Sequence, residues 1–201
     1  MQLTLSNIET LETRYRTSLI NSLSGIKSAN LIGTISSDGT PNCAVFSSVV
    51  HLGADPAMMG MVVRPNVVPR HTLDNLQSTK TFTINHIGES FYEKAHITSA
   101  RTEQNEFDMV GLTPRYIDNF SAPFVSESAV QIGLEWVRTV EITENGTHFV
   151  IGRVVHIGVD DALVLESGDI DLNAANSVGV MGLYTYQSLS KLQTLPYAKS
   201  R

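Results

Sequence analysis

The sequence predicts a mainly β chain with peripheral helices. Three observations carry that reading. Five or six short runs have strand character. Asp38-Gly39 and Asn145-Gly146, residue pairs that tolerate the positive φ of tight hairpins, lie between such runs. Helical periodicity is confined to the N-terminus and the middle of the chain, so strands and helices do not alternate as in a doubly wound parallel sheet. An antiparallel barrel with helices inserted at one edge satisfies all three.

The elements follow in order. Ser6-Asn7-Ile8-Glu9 fits a capping box. Ile8, Leu11, Tyr15, Leu19 and Leu23 continue it with helical spacing, and Gly25 supplies a stop, so an amphipathic helix is expected over 7–23. Residues 30–35 and 43–46 read as strands joined through Asp38-Gly39, and the apolar run 58–63 reads as a buried strand. Thr72 is placed to cap a short helix running to Ser78, and 81–85 alternates as a strand does. One or two helices are expected in 89–110 and an irregular connection in 111–128, punctuated by Pro114 and Pro123. Two long strands, 134–143 and 148–159, flank Asn145-Gly146. Asn145-Gly146-Thr147 also matches a glycosylation acceptor, but without a signal peptide the hairpin turn is the preferred reading. The whole chain reads as one domain: a helix in 1–24, a barrel with helical insertion in 25–187 and a tail in 188–201.

Composition narrows the function classes. The net charge is −6, from 14 Lys and Arg against 20 Asp and Glu, which disfavours nucleic acid as a partner. No run approaches the roughly 18 apolar residues of a membrane helix, and Met1–Glu9 lacks a basic start and an apolar stretch. Cys43 is the sole cysteine, so neither an internal disulfide nor a cysteine zinc site can form; a cytoplasmic setting is expected. It lies within a strand and reads as a small buried apolar residue.

Residues 64–72 are the most informative. Arg64, Arg70 and His71 precede a helix start at Thr72. Free amides and the positive end of a helix dipole attract anions, and arginine forks suit phosphate oxygens. The competing reading is a solvated basic turn with an ordinary cap. Ser47-Ser48 and Asn85-His86 each follow a strand, where they either offer polar groups at a barrel rim or simply end the strand. A phosphate loop, a dinucleotide glycine fingerprint and a serine-hydrolase elbow are all missing. The six histidines show no metal-ligand pairing, so no metal is expected.

Taken in order, these motifs resemble the flavin reductase-like family. Residues 28–34 and 38–48 resemble its opening strands. Arg64-Pro65, His71-Thr72-Leu73-Asp74-Asn75-Leu76 and Thr83-Ile84-Asn85-His86-Ile87 resemble its next blocks. Glu106-Phe107 with Gly111-Leu112-Thr113, Ile151-Gly152-Arg153-Val154-Val155, and Gly182-Leu183-Tyr184-Thr185-Tyr186 complete the series. The resemblance spans about residues 25–187, and it is the ordered set that is specific, not any one motif. It is similar above all to flavoredoxin-like proteins and to reductase components of two-component monooxygenases.

The resemblance implies a split β-barrel, an FMN cofactor, and a homodimer with flavin near the subunit interface. It sets Ala44, Phe46, Ser47 and Ser48 along the flavin. It sets Arg64, His71 and Thr72 at the phosphate, with Arg70 free to point to solvent, and Asn85 and His86 near the ring system or ribityl chain. Tyr184 and Tyr186 either approach the flavin or pack the barrel end. The implied activity is NAD(P)H:flavin reduction, with a redox protein or a monooxygenase as a further partner. The alternative is an FMN electron carrier reduced by a protein partner. Because the cofactor carries the chemistry, no catalytic side chain is nominated.

Overall fold

A computed structural model describes residues 1–65, 71–100 and 104–198. Twelve strands are formed among these residues: β1 Ile26–Ser28, β2 Asn30–Ile35, β3 Pro41–Phe46, β4 Val49–Ala54, β5 Ala57–Val63, β6 Thr81–His86, β7 Pro114–Ile117, β8 Phe120–Val125, β9 Val130–Ile142, β10 Thr147–Val159, β11 Val178–Met181 and β12 Thr185–Ser188. The helices are α1 Leu5–Thr10, α2 Thr13–Ser22, α3 His71–Thr79, α4 Tyr92–Ile97 and α5 Glu106–Val110, with a 3-10 turn at Asp161–Leu163.

The main sheet runs in the order β3-β2-β6-β9-β10-β5-β4, and every pairing in it is antiparallel. Its two end strands, β3 and β4, are consecutive in the chain and separated only by Ser47-Ser48. One bent segment of chain therefore links the two end strands, and the sheet curls round toward itself at this corner. Ser48 stitches the corner: its hydroxyl donates to Val62 O at 2.8 Å and accepts from Val62 N–H at 3.2 Å. Two bulges in the β9–β10 pairing bend these 13-residue strands around the barrel.

Two cores result. The barrel interior holds Ile32, Met61, Val63, Phe82, Ile84, Leu134 and Val150, and α3 plugs it with Leu73 and Leu76. A second core lies on the other face of β2 and β3, where Leu31 and Cys43 pack with Phe91, Ala95, Phe107, Val178 and Val180 of the helices and the β1-β11-β12 sheet. Because successive strand residues face opposite ways, β2 contributes Leu31 to one core and Ile32 to the other. Both faces of the strand are covered, so Asn30 to Thr34 are all buried.

Four expectations need correction. The helix expected over 7–23 is two helices broken at Leu11-Glu12. Thr4, not Ser6, caps the first, its N–H donating to Asn7 Oδ1 at 3.0 Å, and Glu12 caps the second by accepting from Tyr15 N–H. Neither helix buries a residue. Second, the 111–128 connection is not irregular: β7 and β8 form a hairpin turning at Asn119, with φ +61°. Pro123 is accommodated because it falls at the register shift of this two-stranded pairing, where no ladder N–H is required, and its carbonyl accepts from Thr83 Oγ1 at 2.6 Å. Third, Thr72 lies inside α3, whose first residue is His71. Fourth, the chain continues past Ser47-Ser48 into β4, a strand whose mostly exposed residues lack clean alternation.

Candidate functional site

Strand β3 is the rail on which the predicted residues are arranged. Asn42, Ala44 and Phe46 share one face by strand alternation. At about 3.3 Å per residue, Asn42 and Phe46 are roughly 13 Å apart. Phe46 packs at the edge of the barrel core, while Ala44 presents a small, half-buried side chain between them. At the far end Ser47 and Ser48 turn the corner into β4. Arg64 is exposed and follows the end of β5, two residues beyond the Val62 that Ser48 holds. The fold thus gathers Phe46, Ser47, Ser48 and Arg64 at one corner.

The other end of the rail meets the start of α3. Asn42 Nδ2 donates to Thr34 Oγ1 at 3.1 Å and to Thr72 Oγ1 at 3.3 Å. Asn75 Nδ2 donates to the same Thr34 oxygen at 3.2 Å. All four residues are buried. A buried polar network of this kind fixes orientation, because each group left unpaired there would cost about 1–3 kcal/mol. It locks the first turn of α3 against β2 and β3 and holds Thr72, with its hydroxyl proton, beside the rail. His71 is exposed at the helix start. Arg70 lies outside the described residues. The sequence reading missed Thr34, Asn42 and Asn75. Period-two alternation signalled Asn42, two residues before Ala44, whereas Thr34 and Asn75 carried no local signal.

Asn85 and His86 have different environments. Asn85 is fully buried; its Nδ2 donates to Leu31 O at 3.1 Å and Thr83 Oγ1 at 2.8 Å, and its Oδ1 accepts from Val125 N–H at 3.0 Å. Its side chain ties β6 to β2 and β8, and these three bonds all go to the protein. His86 shares a cross-strand row with Asn30, which also pairs with Phe46, so the two predicted residues lie two strands apart on one face. His86 Nδ1 is 3.5 Å from Ser177 Oγ, and the ring lines a cleft of about 420 Å³ with Ser90, Glu127 and Asn176. Burial pushes its pKa down, favouring the neutral imidazole.

Cys43 and the two C-terminal tyrosines lie in different surroundings. Cys43 is fully buried, and that burial, with Glu106 and Glu127 nearby, raises its thiol pKa well above the ordinary value. Tyr186 packs against the outer core and lies 3.3 Å from His96 Nδ1, while Tyr184 is exposed. Among the described residues, no group of three or more His, Cys, Asp and Glu is placed to hold a metal ion.

Residues 24–172 match the family described as flavin reductase like domain. The chain belongs to that family. Among solved structures, this flavin reductase-like chain is similar to a Shewanella frigidimarina protein described as a flavin reductase candidate with a split barrel domain. The two are 48% identical over 98% of this chain and 100% of the other, with a TM-score of 0.95. It also resembles nitrilotriacetate monooxygenase component B from Bacillus cereus, at 20% identity over 97% and 99% of the two chains and a TM-score of 0.86. Flavoredoxin of Desulfovibrio vulgaris (Miyazaki F) is 19% identical over 98% of each chain, with a TM-score of 0.78. The latter two likenesses share the fold, and the barrel described above is the family's split barrel.

Proposed function

We propose that this protein is an FMN-binding oxidoreductase that takes hydride from NADH or NADPH. The observation that carries it is the β3 rail, anchored at one end to the start of α3 and turning at the other into the Ser47–Ser48 corner beside Arg64. The donor set at the start of α3 fits a phosphorylated flavin: the Thr72 hydroxyl, His71 and the amino end of α3 suit an anion, and the exposed Arg64 guanidinium, set at the opposite corner of the rail, would have to extend along it to reach the same phosphate. Ala44 leaves room for a flat ring, Phe46 offers an apolar edge, and Ser47 with His86 offers polar groups. Ser48 and Asn85 act as structural ties that hold the corner and the sheet. Bound flavin supplies the hydride-accepting N5, and the chain binds, orients and shields it.

The outer faces of β4, β5 and β10 support a homodimer. Val50, Leu52 and Val62 are exposed there, and Phe149 lies over Gly60 beside Leu52. A second copy covering this apolar surface would also cover the nearby Ser47–Ser48 corner. The described residues contain no helix long and apolar enough to cross a membrane, and the single reduced-type Cys43 suits a cytoplasmic setting. The test is anaerobic addition of NADH and NADPH to FMN-loaded protein. Bleaching of the flavin absorbance by either donor supports the reductase; bleaching only by a reduced protein partner favours an electron carrier. The Bacillus cereus likeness makes a monooxygenase the first acceptor to try.

A further inference from the structure

One end of the barrel interior carries a row of three side chains. Asn30 on β2 lies directly opposite Phe46 on β3 and His86 on β6. Ile32 and Ile84, two residues along the same strand faces, belong to the barrel core, so the row caps that core. At about 4.8 Å per strand spacing, Phe46 and His86 stand roughly 10 Å apart. Asn30 is 1% exposed, and its Nδ2 donates to Ser28 Oγ at 2.9 Å. Among the described residues its Oδ1 is buried without a hydrogen-bond partner. A buried acceptor is rarely left so, because nothing then offsets its lost hydration.

His86 is the neighbour that accounts for this oxygen. Side chains directly opposite on antiparallel strands have Cβ atoms about 5 Å apart, a gap that a rotation of the imidazole spans. His86 Nδ1 already lies 3.5 Å from the Oγ of Ser177, which is 5% exposed. A neutral imidazole has one N–H and serves one of these two oxygens; an imidazolium has two and serves both. The oxygens beside the ring therefore match its charged form, while burial favours the neutral one. Among the described residues lining its cleft, the charged groups are Glu89, in the loop after β6, and Glu127, between β8 and β9. Thr113 N–H holds the Glu127 carboxylate at 3.0 Å. Both glutamates are exposed, so they favour the cation and connect the ring to solvent protons. The β11 side of the cleft adds only the uncharged Asn176 and Ser177. One negative charge added at this end of the barrel is the input that tips the balance.

We propose that His86 takes up the proton that balances the charge of the reduced flavin, its two N–H groups then donating to Asn30 Oδ1 and Ser177 Oγ. The assignment rests on the flavin-binding reading above. Hydride from NADH or NADPH brings two electrons and one proton, the nicotinamide leaves as a cation, and one negative charge stays on the flavin ring. A solvent proton then enters past Glu89 and Glu127 onto the imidazole, so two protons accompany two electrons. The midpoint potential of the FMN-loaded protein, titrated electrochemically between about pH 7 and pH 8, tests this without any nucleotide. For a two-electron couple each proton taken up lowers the potential by about 30 mV per pH unit. The wild type should show about 59 mV per pH unit, and His86→Gln about 30 mV. Asn30→Leu removes an oxygen that has no partner, so it should fold, bind FMN and lose the steeper slope at a lower pH than the wild type. A wild-type profile in Asn30→Leu would take Asn30 out of the device. Equal slopes in the wild type and His86→Gln overturn the proposal while the flavin reading stands. If the wild type binds no FMN, both fall.

Discussion

Arg64 and His86 make the residue-scale tests sharpest. Arg64 is exposed, so its loss should leave the fold intact. A charge-assisted hydrogen bond to phosphate contributes about 1.5–3 kcal/mol, so Arg64→Ala should weaken FMN about tenfold to a hundredfold. Riboflavin lacks the phosphate and should weaken far less; equal losses for both ligands would remove Arg64 from the phosphate. His86 makes stability depend on pH. In the unfolded chain its imidazole takes up a proton near the ordinary value of 6.5, whereas burial holds it neutral to lower pH in the fold. As pH falls through this window the unfolded chain binds more protons, so stability is lost on acidification. Thermal melts of His86→Gln should show a shallower decline between about pH 7 and pH 5 than the wild type. Asp38 and Glu12, whose pKa values are lowered by hydrogen bonds, add their own losses at lower pH. An unchanged slope would mean His86 is not the group being titrated.

At the scale of elements, the approach of β8 to β2 is the tightest feature. A Cβ on Gly33 would collide with Pro123 O and Thr83 Oγ1, the same pair whose hydrogen bond seats β8. Gly33→Ala must displace that strand, and overpacking of this kind costs about 1–3 kcal/mol. A denaturation midpoint within error of the wild type would show that β8 yields freely. The elements also show how far local signals reach. The hairpin signal of Asn145-Gly146 was legible because its chemistry is local, and Gly146 has φ +70°. The β7–β8 hairpin was illegible because Pro123 argues against a strand, and only the folded pairing shows that it falls at a register shift. Similarly, α3 was legible from its composition, while the seating of Thr72 against Asn42 on another element was not.

The whole molecule raises the question of what covers its outer sheet. Val50, Leu52 and Val62 lie on the exposed side of β4 and β5, whose other side fills the barrel. If a second copy covers them, light scattering should report a dimer at micromolar concentration. Leu52→Glu would place a charge in that interface and should give a folded monomer with weakened flavin retention on gel filtration. A wild-type monomer that retains flavin would contradict the dimer.

The sequence by itself determined the class of fold, the hairpins at Asp38-Gly39 and Asn145-Gly146, and the order of motifs that marks the family. These rest on alternation, turn chemistry and composition, which act between neighbours in the chain. Ala44 and Phe46 came from the family resemblance that this order carries, and strand alternation accounts for their sharing one face. Tertiary structure alone decided how the barrel closes, since Ser48 meets Val62 across a corner that no local pattern announces. It likewise decided which groups the polar residues meet. Asn85 and Asn42 look alike in the sequence, each a polar residue in a strand. Folding ties the Asn85 amide to β2 and β8, while it turns the Asn42 amide nitrogen to Thr34 and to Thr72 on α3. The physical reason is that a hydrogen bond is a meeting of two groups distant in the chain, and only the packed fold sets which of them meet.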